Sequence, residues 1–149
     1  TVLAWSRSLT AERASALGIG HVPDLDTLLR ASDVVSVHVP LNGETRGMIG
    51  AGQIGLMKPG AIVLNSARGP IIDEAALIAA LRSGRIGGAG LDVFDREPLP
   101  ADHPFRTLDN VIATPHLGYV TERTYDAYFA GIVEAIAAWQ AGTPIRLLT

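Results

Sequence analysis

The sequence predicts an α/β protein built on an open, doubly wound parallel sheet, and three observations carry that expectation. Strand-like and helix-like segments alternate along the 149 residues, the order expected of βαβ units. The strand-like runs are short, rich in small or β-branched residues and nearly free of charge, as strands buried on both faces are. Thr10, Asp24 and Asp73 each stand where a side-chain oxygen can cap a helix, and Gly18 and Gly84 stand where one can stop.

In chain order, residues 2–5 read as a short strand, and Thr10 opens a helix that ends at Gly18. Asp24 opens a second, short helix carrying Leu25, Leu28 and Leu29 on one side. Residues 34–39 are apolar apart from Ser36 and His38, and Pro40 ends them, which predicts a buried strand. Residues 42–47 form a polar loop, residues 51–57 at most a short helix, and residues 61–64 a strand preceded by Gly60. Asp73 opens a helix with Leu77 and Leu81. A strand is expected over residues 88–94, with Asp92 inside it. Residues 95–109 form a loop holding Pro98, Pro100 and Pro104, long enough to suggest a functional excursion. Residues 111–113 are the last strand. Residues 121–141 are the longest helix, with Tyr125, Phe129, Ile132, Ile136 and Trp139 at helical spacing. That apolar stripe is expected to be buried.

Composition narrows the function. A core is well supplied, since 48% of residues are apolar. A net charge of −3 leaves no basic footprint, so a nucleic-acid partner is not expected. Cysteine is absent, which excludes disulfide and thiolate chemistry and fits a cytoplasmic protein. No stretch reaches the roughly 20 apolar residues of a membrane span. His21, His38, His103 and His116 have no paired metal-ligand spacing, so no metal site is expected. Ser66, Asp92 and His116 offer the residue types of a hydrolase triad, but Asn65-Ser66-Ala67 lacks the G-x-S-x-G elbow that such a serine needs.

The chemistry gathers at three strand ends. Arg68, Glu97 and His116 follow the runs at residues 61–64, 88–94 and 111–113. If those runs are neighbouring parallel strands, their carboxyl ends open onto one crevice, where open α/β sheets bind ligands. A cation, a carboxylate and an imidazole there make an anion-binding and proton-transfer site. A doubly wound nucleotide-binding sheet opens with a strand, a Gly-rich turn and a helix, and no G-x-G-x-x-G in that setting is present. Gly87-Gly88-Ala89-Gly90 leads into a strand, and reads as a tight turn with close strand packing.

Four stretches occur together and in order: Val37-His38-Val39-Pro40-Leu41 with Thr45-Arg46-Gly47, then residues 65–77 beginning Asn65-Ser66-Ala67-Arg68-Gly69-Pro70, then Gly90-Leu91-Asp92-Val93-Phe94-Asp95-Arg96-Glu97-Pro98-Leu99, and Thr114-Pro115-His116-Leu117-Gly118. They resemble the cofactor-binding domain of the NAD(P)-dependent D-isomer-specific 2-hydroxyacid dehydrogenases, glyoxylate/hydroxypyruvate reductases and phosphoglycerate dehydrogenases among them. The likeness runs through nearly the whole chain. It implies a Rossmann-type fold and hydride transfer between NAD(P)H and a small 2-oxo or D-2-hydroxy acid. Arg68 is then the substrate-carboxylate binder, His116 the acid/base, and Glu97 its partner. An imidazole with an ordinary pKa near ~6.5 suits that exchange, a nearby carboxylate favours its protonated form, and a guanidinium presents a planar fork to a carboxylate.

By the same resemblance Asp92 hydrogen-bonds the nicotinamide carboxamide; a structural, ion-paired Asp is the other reading. His38, Val39 and Pro40 line the nucleotide, with a packed core role open for His38. Thr45 either touches the cofactor or serves as a loop hydroxyl. Ser66, Ala67 and Gly118 admit the nicotinamide end closely. Ser6 and Arg7 follow the first strand, where NAD-selective members place an acidic residue, and this favours NADP with NAD still open. A homodimer is expected. The family's corepressors keep a similar triad, so a nucleotide-sensing binding protein is the alternative function.

The resemblance divides the chain into a partial dinucleotide-binding domain, residues 1–140, and a tail, residues 141–149, returning toward a substrate domain. It places a missing first strand centrally, between the strand at Val2 and that at Ala61, and so implies a longer polypeptide, with the 149 residues alone inactive.

Overall fold

The computed structural model describes residues 1–147, and the chain divides into two compact units, Thr1–His116 and Leu117–Thr149. The first unit alternates strand and helix. Its elements are β1 (Leu3–Ala4), α1 (Ala11–Ala16), β2 (Gly20–His21), α2 (Leu25–Ala31), β3 (Val34–Val37), α3 (Ala51–Leu56), β4 (Ala61–Asn65), α4 (Glu74–Arg82), β5 (Ile86–Leu91) and β6 (Val111–Ala113). Short 3-10 turns at Gly69–Ile71 and Pro104–Arg106 follow β4 and precede β6.

Local chemistry sets the helix boundaries. The side chains of Thr10, Asp24 and Asp73 accept the N–H groups of Arg13, Thr27 and Ala76 at 3.3, 2.7 and 2.9 Å, satisfying donors that the first helical turn leaves open. Beyond α4, Gly84 takes the left-handed conformation (φ 72°) that closes a helix cheaply only without a Cβ.

All strand pairs are parallel, in a four-stranded sheet β3-β4-β5-β6 and a separate pair β1-β2. The α/β class and its parallel sheet match the expectation. Because β4, β5 and β6 are consecutive neighbours, the turns after them share one edge of the sheet. The core lies between this sheet and helices α2, α3 and α4, with Leu29, Ile49, Met57, Val63, Ile71 and Ile86 fully enclosed.

Several expectations need correction. The break in the sheet falls between β1 and β3, not next to the Ala61 strand: Val34–Val37 pairs along its length with residues 62–65. Facing edges of β1 and β3 line a slot of about 880 Å³. The two-residue strand β2 was not expected, having no apolar run to announce it. The glycines at 87, 88 and 90 lie inside β5 and form no turn, and β5 ends at Leu91, so Asp92 stands one residue past the strand.

The second unit holds α5 (Glu122–Gln140), whose N-cap Thr121 accepts from the Thr124 N–H at 3.1 Å. The helix forms as expected, but none of its residues is buried, and Tyr125, Phe129, Ile132, Ile136 and Trp139 are all exposed. Helical spacing reports which residues share a face and not what covers it. The expected tail, residues 141–149, ends on Leu148 and Thr149, which lie outside the described residues.

Candidate active site

The turn after β4 is built by a side chain. Asn65 is buried; its Nδ2 donates to the Arg68 carbonyl at 3.0 Å, and its Oδ1 accepts the Ala67 N–H at 3.0 Å. This closes the turn and leaves Ser66 and Arg68 exposed at its rim. The Arg68 guanidinium donates to the Ala67 carbonyl at 2.6 Å. Gly69, next in sequence, presses against the backbone of Phe94, where a Cβ would stand 2.1 Å from the carbonyl carbon. The β4 turn and the loop after β5 therefore pack backbone to backbone.

Past β5, the Asp92 N–H donates to the Asn65 carbonyl at 3.0 Å, and its carboxylate accepts the Thr114 hydroxyl at 2.5 Å. The chain then turns so that the Phe94 N–H donates to Glu97 Oε1 at 3.0 Å. The other oxygen, Oε2, accepts the Nδ1 proton of His116 at 2.7 Å. His116 itself follows β6 through Thr114-Pro115. Its N–H donates to the Thr114 carbonyl at 3.0 Å, and its backbone is left-handed (φ 57°), a conformation that non-glycine residues adopt at a cost and that clusters at functional sites.

Two effects oppose each other at Glu97. Partial burial pushes its carboxyl up, but the hydrogen bonds from His116 and the Phe94 N–H, with the positive charges of His116 and Arg68, outweigh this and hold it below the usual range. Beside the pair lies a cavity of about 470 Å³ walled by Phe94, Pro98, Leu99 and Pro115, with Glu97 and His116 on its lining.

The other predicted residues of the first unit sit at the β1–β3 slot and its carboxyl end. Ser6, His38 and Val39 line the slot. His38 is exposed, not core-packed, and its Nε2 bonds the Ser36 hydroxyl at 2.8 Å. Pro40 is exposed, and its carbonyl accepts the Thr45 hydroxyl at 2.6 Å. The Thr45 oxygen also accepts the Asn42 N–H at 2.9 Å, so this buried hydroxyl is engaged within its own loop. Arg7 is ion-paired with Glu44 on the same loop. Gly118 belongs to the second unit.

Asn65, Thr114 and Glu44 were not singled out by sequence reasoning. Each lies inside or beside a quoted motif, but its hydrogen-bond partner is remote in sequence or is backbone, and neither leaves a pattern.

The family model described as "D-isomer specific 2-hydroxyacid dehydrogenase, NAD binding domain" matches residues 1–118. The chain belongs to this family. Among its relatives, D-3-phosphoglycerate dehydrogenase of Archaeoglobus fulgidus is 46% identical over 97% of the chain, which covers 27% of that protein. Glyoxylate/hydroxypyruvate reductase B of Citrobacter koseri is 55% identical over 68% of the chain and 31% of that protein. A crystal structure of a D-isomer specific 2-hydroxyacid dehydrogenase from Xanthobacter autotrophicus Py2, in complex with NADPH and MES, superposes with a TM-score of 0.76 at 43% identity, covering 97% of this chain and 59% of that one. The chain thus spans about a third or less of the curated relatives' length. This D-2-hydroxyacid dehydrogenase domain is the family's NAD-binding, parallel α/β unit. Among its described residues no helix is long and apolar enough to cross a membrane.

Proposed function

We propose that the intact protein is an NAD(P)-dependent dehydrogenase that interconverts a small 2-oxo acid, of the glyoxylate or hydroxypyruvate kind, and its D-2-hydroxy acid. The observation that carries this reading is the 2.7 Å bond from His116 Nδ1 to Glu97 Oε2, beside Arg68 at the carboxyl edge of a parallel sheet. The residues at that edge fit a nicotinamide nucleotide: a carboxylate at Asp92 able to accept an amide proton, small residues at Ser66 and Ala67, and the apolar Val39 beside His38 and Pro40. The bound cofactor supplies the hydride that reaches the carbonyl carbon.

The protein's own groups do the rest. Glu97 holds the proton on His116 Nδ1, which leaves Nε2 as the nitrogen that gives a proton to the carbonyl oxygen in reduction and takes it back in oxidation. Glu97 also offsets the positive charge of the doubly protonated ring. Arg68 grips the substrate carboxylate with its planar fork and so sets the carbonyl against His116. Asp92, itself oriented by Thr114, fixes the nicotinamide face, and Thr45 supports the loop that follows Pro40. Ser6 and Arg7 favour NADP. The exposed aromatic stripe of α5 supports a homodimer.

The test is oxidation of NADPH by 2-oxo acids, followed with the intact protein and with Arg68→Ala. Turnover that falls by about 10²–10³-fold in the variant supports the assignment, the range for loss of one electrostatic anchor in an active site. Tight nucleotide binding with no turnover on any 2-oxo acid would overturn it in favour of a nucleotide-sensing binding protein.

A further inference from the structure

Glu97 sits near the start of the long loop joining β5 to β6, yet its carboxylate meets the ring of His116, on another segment, at hydrogen-bond distance. Ordering the loop costs conformational entropy, so other contacts must hold it. Two of them, to segments on either side of Glu97, come from one side chain in the first turn of α4. Glu74 Oε2 accepts the Asp95 N–H at 3.4 Å, and Oε1 accepts the Nε2 proton of His103 at 3.0 Å. The carboxylate grips the loop on both sides of Glu97.

His103 is itself fixed. The Phe105 N–H donates to its Nδ1 at 3.2 Å, which keeps the ring proton on Nε2, toward Glu74. Its ring lies 4.9 Å from that of Phe105, a core residue. The His103 and Glu74 side chains are only 14% and 22% exposed, so solvent screens their bond less than it would a surface pair. Arg106 completes the loop by donating to the Leu99 and Pro100 carbonyls at 2.7 and 2.8 Å. The arrangement has an electrostatic cost: Asp73, Glu74 and Asp95 come close together, and burial with the charges of Glu74 and Asp73 pushes the Asp95 carboxyl up, against opposing Arg46 and His103. Three carboxylates in one place suggest that Glu74 is held there for its contacts.

We propose that Glu74, with His103 as its partner, is a positioning residue that holds the β5–β6 loop so that Glu97 meets His116, an inference that rests on the proposed role of the Glu97–His116 pair. Glu74 touches no reacting atom; it acts through the loop.

The experiment follows the Glu97 carboxyl by carbon-13 NMR titration in the full chain, its signal identified by its loss in Glu97→Gln. In Glu74→Ala the Glu97 midpoint rises toward the ordinary glutamate value as His116 and the Phe94 N–H separate from it. Glu74→Gln, which keeps an oxygen acceptor for His103, stays near wild type. His103→Leu, which leaves the Glu74 charge in place, shows the same rise and serves if Glu74→Ala does not fold. Ile78→Ala, on the same helix, lowers Tm without moving the midpoint. In the intact protein, Glu74→Ala lowers kcat at least about tenfold with KM for the 2-oxo acid unchanged, the pattern of a misplaced catalytic group. A Glu97 midpoint unmoved in folded Glu74→Ala or His103→Leu, or moved as far by Ile78→Ala, overturns the proposal. Full turnover in Glu97→Gln would instead sink the dehydrogenase reading of the pair, while the NMR result still decides whether Glu74 positions Glu97.

Discussion

Gly69 and Phe94 touch through their backbones: a Cβ on Gly69 would lie 2.1 Å from the Phe94 carbonyl carbon and 2.3 Å from its oxygen. No rotamer change relieves that overlap, because both sides of it are main chain. The contact docks the turn carrying Arg68 onto the loop carrying Glu97, whose carboxyl the Arg68 charge helps to hold low. Gly69→Ala is expected to lower stability by at least about 1–3 kcal/mol, the usual cost of overpacking. It should also raise the Glu97 carboxyl midpoint as Arg68 retreats. Urea unfolding and carboxyl NMR check both, with Gly43→Ala as the control, since nothing lies within 4 Å of a Cβ there.

A second expectation concerns acid. The Glu97 carboxyl is held below its ordinary value in the folded protein, so its contribution to stability is fully present above the ordinary glutamate pKa of about 4.3. That contribution disappears as pH falls through the lower folded value. Denaturant midpoints measured across this acid window should therefore fall more steeply for wild type than for Glu97→Gln. Parallel curves would show that the link to His116 adds nothing to folding.

The parts of this architecture legible in the sequence are those fixed by near neighbours. Thr10, Asp24 and Asp73 bond backbone groups three residues on, and β3, β4 and β6 announce themselves as apolar runs. The position of the sheet break was misread because strand order is set by which edges pair, and an apolar run does not say which neighbour it takes. The exposure of the α5 stripe was misread for a related reason, since periodicity names a face but not its cover. At the site, Arg68, Glu97 and His116 stood out as polar groups at strand ends. Thr114 and Glu74 did not, because their work is to bond atoms brought near only by folding. Nor did Asn65, because its bonds go to the backbone of its own turn and leave no residue pattern.

Asp95 should behave oppositely to Glu97. Burial, then the charges of Glu74 and Asp73, raise its carboxyl above the ordinary range. Ionised Asp95 therefore weighs against folding at neutral pH, and taking up a proton as pH falls through the raised value favours the folded state. Asp95→Asn removes the charge while keeping the backbone N–H that meets Glu74. The variant should be more stable than wild type at pH 7, with the gain shrinking through that window and gone below the ordinary aspartate pKa of about 3.9. Thermal unfolding at a series of pH values measures this, and a variant less stable at pH 7 would show that Asp95 earns its place through a contact of its own.

On the proposed function, the choice of cofactor is expected to turn on Arg7 and the residue it meets. Arg7 follows β1, at the end of the slot lined by Ser6, His38 and Val39, and is ion-paired with Glu44 while both side chains remain more than half exposed. An exposed pair is weak, so a 2′-phosphate, with its greater charge, can draw the guanidinium away from Glu44. Arg7→Ala is expected to weaken NADPH binding by about 10- to 100-fold, the range for one charged hydrogen bond, and to leave NADH binding unchanged. Glu44→Gln should shift the preference the other way, tightening NADPH by freeing Arg7 and by removing a carboxylate that repels the phosphate. Because the attraction is between exposed charges, the NADPH advantage should fall as salt rises. Titration of intrinsic tryptophan fluorescence with each nucleotide, at low and high salt, measures all four quantities. Equal losses for NADPH and NADH in Arg7→Ala would place Arg7 on the part of the nucleotide that both share and remove the case for NADP.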